Sequence, residues 1–135
     1  MDLTPHLVAG AAIGARAKRP SVALVLALAS HFVLDATPHF DIAWIGGSGL
    51  FKAIDIGLGL LLTGVIIWRV RHWWPLVGAV VAVLPDAPGL KERWDTPPSS
   101  IFPHLTWDPP WGIAVEFVVA GAALLWGMRT PTWTE

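Results

Sequence analysis

The chain has 135 residues, enough for one domain, and only 14% of them are charged. A soluble domain usually carries about a quarter charged residues. Because 54% of the residues are hydrophobic and the mean hydropathy is +0.58, too little polar side chain remains to cover a water-facing surface. The net charge of -1 argues against the basic surface of a nucleic-acid binder. The chain has no cysteine, which excludes a thiolate ligand. We therefore expect an integral membrane protein with no nucleic-acid partner.

Five apolar segments follow one another along the chain, at residues 3–17, 20–37, 50–68, 74–87 and 111–128. The first contains Gly10 and Gly14 in a small-xxx-small pattern, which lets two helix backbones approach closely in lipid. It is short for a full span, whereas the third is long enough to cross ~30 Å of hydrocarbon. The predicted fold is all-α, one helical membrane domain over residues 1–135 that forms an integral bundle of four to five short transmembrane helices. A loop at about 88–110 separates the last two segments.

Basic residues near the segment ends predict the orientation in the membrane, because Lys and Arg of short loops stay on the cytoplasmic side. If the N-terminus is non-cytoplasmic, six basic residues fall inside and three fall outside. The inner group is Arg16, Lys18, Arg19, Arg69, Arg71 and Arg129, and the outer group is Lys52, Lys91 and Arg93. We therefore expect a multi-pass protein of the cell inner (plasma) membrane, with the 88–110 loop on the outer side.

Ionisable side chains inside apolar segments are costly in lipid, so they usually face the bundle interior and have a partner. His31, Asp35 and His39 are spaced i, i+4, i+8, which places them on one face of a helix. Pro38 can end that helix, in which case His39 lies just beyond it and His31 and Asp35 remain one turn apart. Helical bundles build metal sites from two ligands on one helix in this way.

Two carboxylates, Asp35 and Asp86, stand at the C-terminal ends of apolar segments. A negative charge there is disfavoured by the helix dipole unless a cation or a proton compensates it. The predicted topology brings further polar residues to the same membrane face. The predicted metal ligands are His6, His31, Asp35, His39, Asp86 and His104. For any single histidine, the alternative is a hydrogen bond between helices.

Imidazole and carboxylate ligands without thiolate suit Zn²⁺, Mn²⁺ or Fe²⁺. Such a metal, with an open position, can acidify water and polarise a phosphoryl or ester oxygen, so hydrolysis is the simplest predicted chemistry. Asp55 and Glu116 are the predicted catalytic residues, either of which could act as the general base. Asp55 could instead pair with Lys52, one turn earlier. The motifs of serine hydrolases, zincins and nucleotide-binding loops do not occur in the sequence.

The sequence resembles the LexA-binding, inner-membrane hydrolase family, a group of small membrane proteins described as metal-dependent hydrolases. The likeness rests on Thr4-Pro5-His6, on His31 with Asp35-Ala-Thr-Pro-His39, and on Leu84-Pro85-Asp86. It implies a compact helical membrane fold with His and Asp ligands at one face. Members usually have Thr and His adjacent, whereas Pro5 separates them in this chain, and they carry a later Arg-Gly-x-Thr-His segment that this chain lacks.

Three functions therefore remain open at this point. The first is a membrane-embedded, metal-dependent hydrolase that acts on a lipid or lipid-linked (phospho)ester at the outer face. The second is a non-catalytic transmembrane subunit of a larger membrane complex, in which a histidine could also ligate a pigment or haem. The third is an ion or proton pathway, which the clustering of polar residues at one face disfavours. Membrane lipids and other transmembrane subunits are the expected partners.

Overall fold

The computed structural model describes residues 2–40, 49–87 and 110–129. This part of the chain is all-α, and its helices begin and end close to the bounds of the five predicted segments. They are α1 (Leu3–Arg16), α2 (Pro20–Asp35), α3 (Gly49–Val70), α4 (Trp74–Val83) and α5 (Trp111–Gly127). A 3₁₀ turn, Leu84–Asp86, continues α4. All of the 88–110 loop except Pro110 lies outside the described residues.

Helix α1 is the centre of the bundle and contacts each of the other four helices. Ten of its fourteen residues are buried, including Val8, Ala11 and Ala15, which are 0% exposed. Glycine and alanine occur around the whole circumference of this helix, so neighbouring helices can approach it from every side. The short first segment is therefore the core of the protein.

The closest helix contact joins α1 to α4 through glycines. A Cβ atom built on Gly78 would lie 2.1 Å from the carbonyl oxygen of Gly10, and one built on Gly14 would lie 2.2 Å from that of Trp74. Both distances are shorter than any van der Waals contact, so side chains larger than hydrogen do not fit there. Gly10 and Gly14 thus have the role that the small-xxx-small pattern predicts.

The helices alternate in direction, so one end of the bundle collects the amino-terminal ends of α1, α3 and α5 and the carboxyl-terminal ends of α2 and α4. Hydrogen bonds between Thr4 and Asp55 and between His31 and Ala82 hold these ends together. The basic side chains Arg16, Lys18, Arg19, Arg69, Arg71 and Arg129 stand at the opposite ends of the same helices. Most of the described carboxylates and imidazoles therefore lie at one end of the bundle and most of the cations at the other, with Lys52 and His72 as the exceptions.

The outer faces of the peripheral helices are apolar. Val25 of α2, Leu61 of α3 and Phe117 of α5 are 67%, 65% and 68% exposed. Among the described residues, α3 is the one helix long and apolar enough to cross a membrane, and only 17% of its apolar 18-residue stretch is buried inside the bundle. A core helix of a soluble protein would be mostly buried. Helices α2 and α5 and the stretch Trp74–Asp86 are apolar but shorter.

Replacing Gly78 with alanine tests the contact between α1 and α4. The new methyl group overlaps the Gly10 carbonyl, so we expect Gly78→Ala to lower the free energy of unfolding by about 1–3 kcal/mol. Thermal unfolding in detergent micelles, followed by circular dichroism, measures the effect. Gly64→Ala is the control, because its added Cβ would meet no other described helix within 4 Å and alanine favours helix. Equal melting temperatures for the two variants would contradict the packing.

Candidate metal centre

The carboxyl-terminal half of α2 supplies two of the site residues. His31 and Asp35 are one turn apart, and His31 Nε2 lies 3.2 Å from Asp35 Oδ2. The helix ends at Asp35, because Pro38 disfavours helical geometry in the residue before it. Asp35 therefore stands at the negative end of the α2 dipole, as predicted, and its carboxylate faces two imidazole rings.

The second ring is that of His6, from the first turn of α1. His6 Nε2 lies 3.1 Å from Asp35 Oδ1, and the ring stacks on that of His31 with centroids 4.5 Å apart. His6 is 0% exposed and His31 is 4% exposed. One ligand atom from each of these three residues lies within 4.8 Å of the other two. We call His6, His31 and Asp35 the His–Asp cluster.

The backbone of α4 fixes the tautomer of His31. His31 Nδ1 lies 2.9 Å from the carbonyl oxygen of Ala82, and a carbonyl only accepts, so Nδ1 carries the hydrogen and donates it. This carbonyl is available because Pro85 has no N–H and the 3₁₀ turn that follows bonds three residues back. In a neutral ring, the Nε2 lone pair then points at the Asp35 carboxylate. Two such electron-rich groups at 3.2 Å require a proton or a metal cation between them.

The two histidine–carboxylate distances of the cluster suit a divalent cation. Ligands at ~2.1 Å from a tetrahedral metal are about 3.4 Å apart, close to the two histidine–carboxylate distances. His6 Nδ1 has no hydrogen-bond partner among the described residues, so no contact outside the cluster fixes the tautomer of that ring. Two imidazoles and one carboxylate are the ligand set of many catalytic Zn²⁺ and Fe²⁺ sites, which keep further positions open.

The other predicted ligands lie around this cluster. Asp86 Oδ2 is 4.0 Å from His31 Nδ1, so it faces the ring nitrogen opposite the cluster. His39 lies beyond the end of α2, is 0% exposed, and donates from Nδ1 to the Thr37 carbonyl over 2.7 Å. It is not among the residues that the structure brings within 4.8 Å of one another. His104 lies outside the described residues.

The two predicted catalytic residues meet the amino-terminal end of α1. Asp55 accepts hydrogen bonds from the backbone amides of Leu3 and Thr4, and Glu116 accepts one from that of Asp2. Both also line a groove of about 470 Å³ bounded by α1, α3 and α5, whereas the His–Asp cluster lies between α1, α2 and α4. A general-base role for either carboxylate stays a prediction.

One histidine of the described residues stands apart from this end of the bundle. His72 lies between α3 and α4, beside Arg71 and close to the other basic residues. Burial lowers the pKa of His72 below its ordinary value, which keeps its ring neutral at pH 7. It therefore serves as a histidine control for the cluster.

Comparison of the chain with protein-family models, with curated proteins and with solved structures found no match in any of the three. What the protein does must therefore follow from the chemistry of its own side chains.

Removing the carboxylate of the cluster should destabilise the protein even without metal. In Asp35→Ala, the buried His6 Nε2 loses its partner, which costs about 1–3 kcal/mol of folding free energy. Unfolding in detergent with a chelator present measures this. Ser30→Ala is the matched control, because it removes a hydrogen bond local to α2 that joins no second helix. Equal losses in the two variants would show that the cluster contributes nothing to folding.

Proposed function

We propose that this protein is a membrane-embedded, metal-dependent hydrolase that acts on a lipid or lipid-linked (phospho)ester at the outer membrane face. Its metal is a divalent cation held by His6, His31 and Asp35. One observation carries this proposal. Because His31 donates from Nδ1 to a carbonyl, its other nitrogen faces the Asp35 carboxylate, and the pair requires a proton or a metal cation between them, of which we propose the metal.

The surface of the bundle supports its placement in a membrane. The outer faces of α2, α3 and α5 expose large aliphatic and aromatic side chains, while the buried helix α1 is made mostly of small residues. Cations gather at the end opposite the His–Asp cluster, as the positive-inside rule requires if that cluster faces outward. This polarity supports our proposal of a multi-pass protein of the inner membrane with a non-cytoplasmic N-terminus and with lipids as its neighbours.

The chemistry follows from the ligand set. A divalent metal with open positions supplies Lewis acidity to a phosphoryl or ester oxygen and acidifies water. His6, His31 and Asp35 would hold that metal: Asp35 directs both carboxylate oxygens at the rings, and the Ala82 carbonyl orients His31. Such outer hydrogen bonds fix the tautomer and raise the basicity of a ligating histidine. Zn²⁺, Mn²⁺ and Fe²⁺ all suit these ligands.

The second candidate is a non-catalytic transmembrane subunit, and one observation favours it. The hydrogen bonds of the cluster join α1, α2 and α4, so the same side chains could serve as polar contacts between helices. In that case protonated imidazole supplies the compensating positive charge. The two functions differ in whether a metal is bound.

The metal content of the purified protein decides between them. We expect about one equivalent of transition metal per chain after purification in detergent and incubation with Zn²⁺ or Mn²⁺, measured by inductively coupled plasma mass spectrometry. His31→Ala and Asp35→Ala should lose it, because each removes a ligand. His72→Ala should retain it. A folded wild type that stays free of metal would leave the subunit function in its place.

Hydrolysis itself needs a separate measurement. Chromogenic phosphate monoesters, phosphate diesters and carboxyl esters, presented in mixed micelles, test the three ester classes. We expect turnover of at least one class that a chelator abolishes and added metal restores. Turnover that survives in Asp35→Ala would show that the cluster is not the active site.

A further inference from the structure

The first turn of α1 has an unusual set of hydrogen-bond partners. The first four N–H groups of any helix have no acceptor within the helix and must find one elsewhere. In α1 these four positions are Asp2, Leu3, Thr4 and Pro5, and Thr4 and Pro5 are buried. The Asp2 side chain makes no capping bond. Water and local capping therefore do not explain how this helix begins.

Other helices provide the acceptors. Asp55 of α3 accepts from the Leu3 amide through Oδ2 at 2.7 Å and from the Thr4 amide through Oδ1 at 3.0 Å. Glu116 of α5 accepts from the Asp2 amide through Oε1 at 3.1 Å. Pro5 has no N–H, so the fourth position needs no acceptor. All four positions are thus accounted for by two carboxylates and one proline.

A further bond connects Asp55 to the side chain of α1. The Thr4 hydroxyl donates to the backbone carbonyl of Asp55 at 2.6 Å. Asp55 therefore contacts α1 through both carboxylate oxygens and its carbonyl, and these three bonds fix the height and the rotation of α1 relative to α3. The carboxylate also lies at the positive end of the α1 dipole, which favours its charge.

The next residue after Pro5 is His6. The backbone N–H of His6 is the first in α1 that can bond within the helix. His6 therefore directly follows the residues whose amides donate to Asp55. We propose that Asp55 is a positioning residue, which sets His6 at the distance from Asp35 and His31 that a shared metal requires. This inference rests on the proposed metal site. Glu116 contributes one bond to the same turn, so its contribution is smaller.

The test measures metal affinity with Co²⁺ as the probe, because its visible absorption reports both binding and ligand geometry. Asp55→Asn keeps the size of the side chain but offers one acceptor oxygen in place of two. We expect it to bind Co²⁺ about 10-fold more weakly or worse, with a changed absorption spectrum, as for other residues that orient metal ligands. Glu116→Gln should weaken binding less. Lys52→Ala, an exposed change one turn earlier in α3, should leave affinity and spectrum unchanged.

The outcomes separate this proposal from the metal site itself. If the wild type binds no Co²⁺, the proposed function fails. If the wild type binds Co²⁺ and Asp55→Asn binds it with the same affinity and spectrum, the positioning role is overturned, even if the variant is less stable. If that variant binds Co²⁺ normally but loses hydrolysis, Asp55 is a catalytic residue instead.

If Asp55→Asn does not fold, Thr4→Val decides the question, because it removes only the hydroxyl bond to Asp55. Unchanged Co²⁺ affinity in that variant also overturns the proposal.

Discussion

The burial of α1 is the constraint on which the rest of the structure depends. A helix enclosed on all sides must be narrow, so that its neighbours can approach, and its terminal amides must find acceptors without water. Glycine and alanine meet the first requirement along its length, and Asp55, Glu116 and Pro5 meet the second at its start. The same enclosure holds His6 at 0% exposure, so the residue next to this start is also the most deeply buried member of the His–Asp cluster.

The acidic residues at this end of the bundle fall into two groups by the helix end they meet. Asp55 and Glu116 accept hydrogen bonds at the positive, amino-terminal end of α1, where the helix dipole favours negative charge. Asp35 ends α2, and Asp86 ends the turn that continues α4, so each lies at a negative end. Only this second group faces imidazole nitrogens. The carboxylates that the helix dipoles do not stabilise are thus the ones that lie beside histidine.

Much of the fold could be predicted from the sequence, because hydropathy and proline positions mark where helices begin and end. The spacing of His31 and Asp35 predicted that they lie side by side, since residues four apart on a helix share a face, and the two side chains are in contact. The position of α1 at the centre was not predicted, although small residues on all of its faces indicate a helix packed from all sides. The bonds of Asp55 to Leu3 and Thr4 join residues about fifty positions apart, and no local pattern specifies such a pairing.

The lengths of the peripheral helices would have a consequence for lipid placed around them. Helices α2 and α5 have 16 and 17 residues, which at 1.5 Å per residue reach about 24–26 Å. The hydrocarbon of a typical bilayer is ~30 Å thick, so a membrane around them would have to thin to avoid hydrophobic mismatch. Thinning draws the head groups of nearby lipids inward, along with the ester and phosphate bonds that join them to their acyl chains. A short bundle of this kind would bring those bonds toward its own polar end.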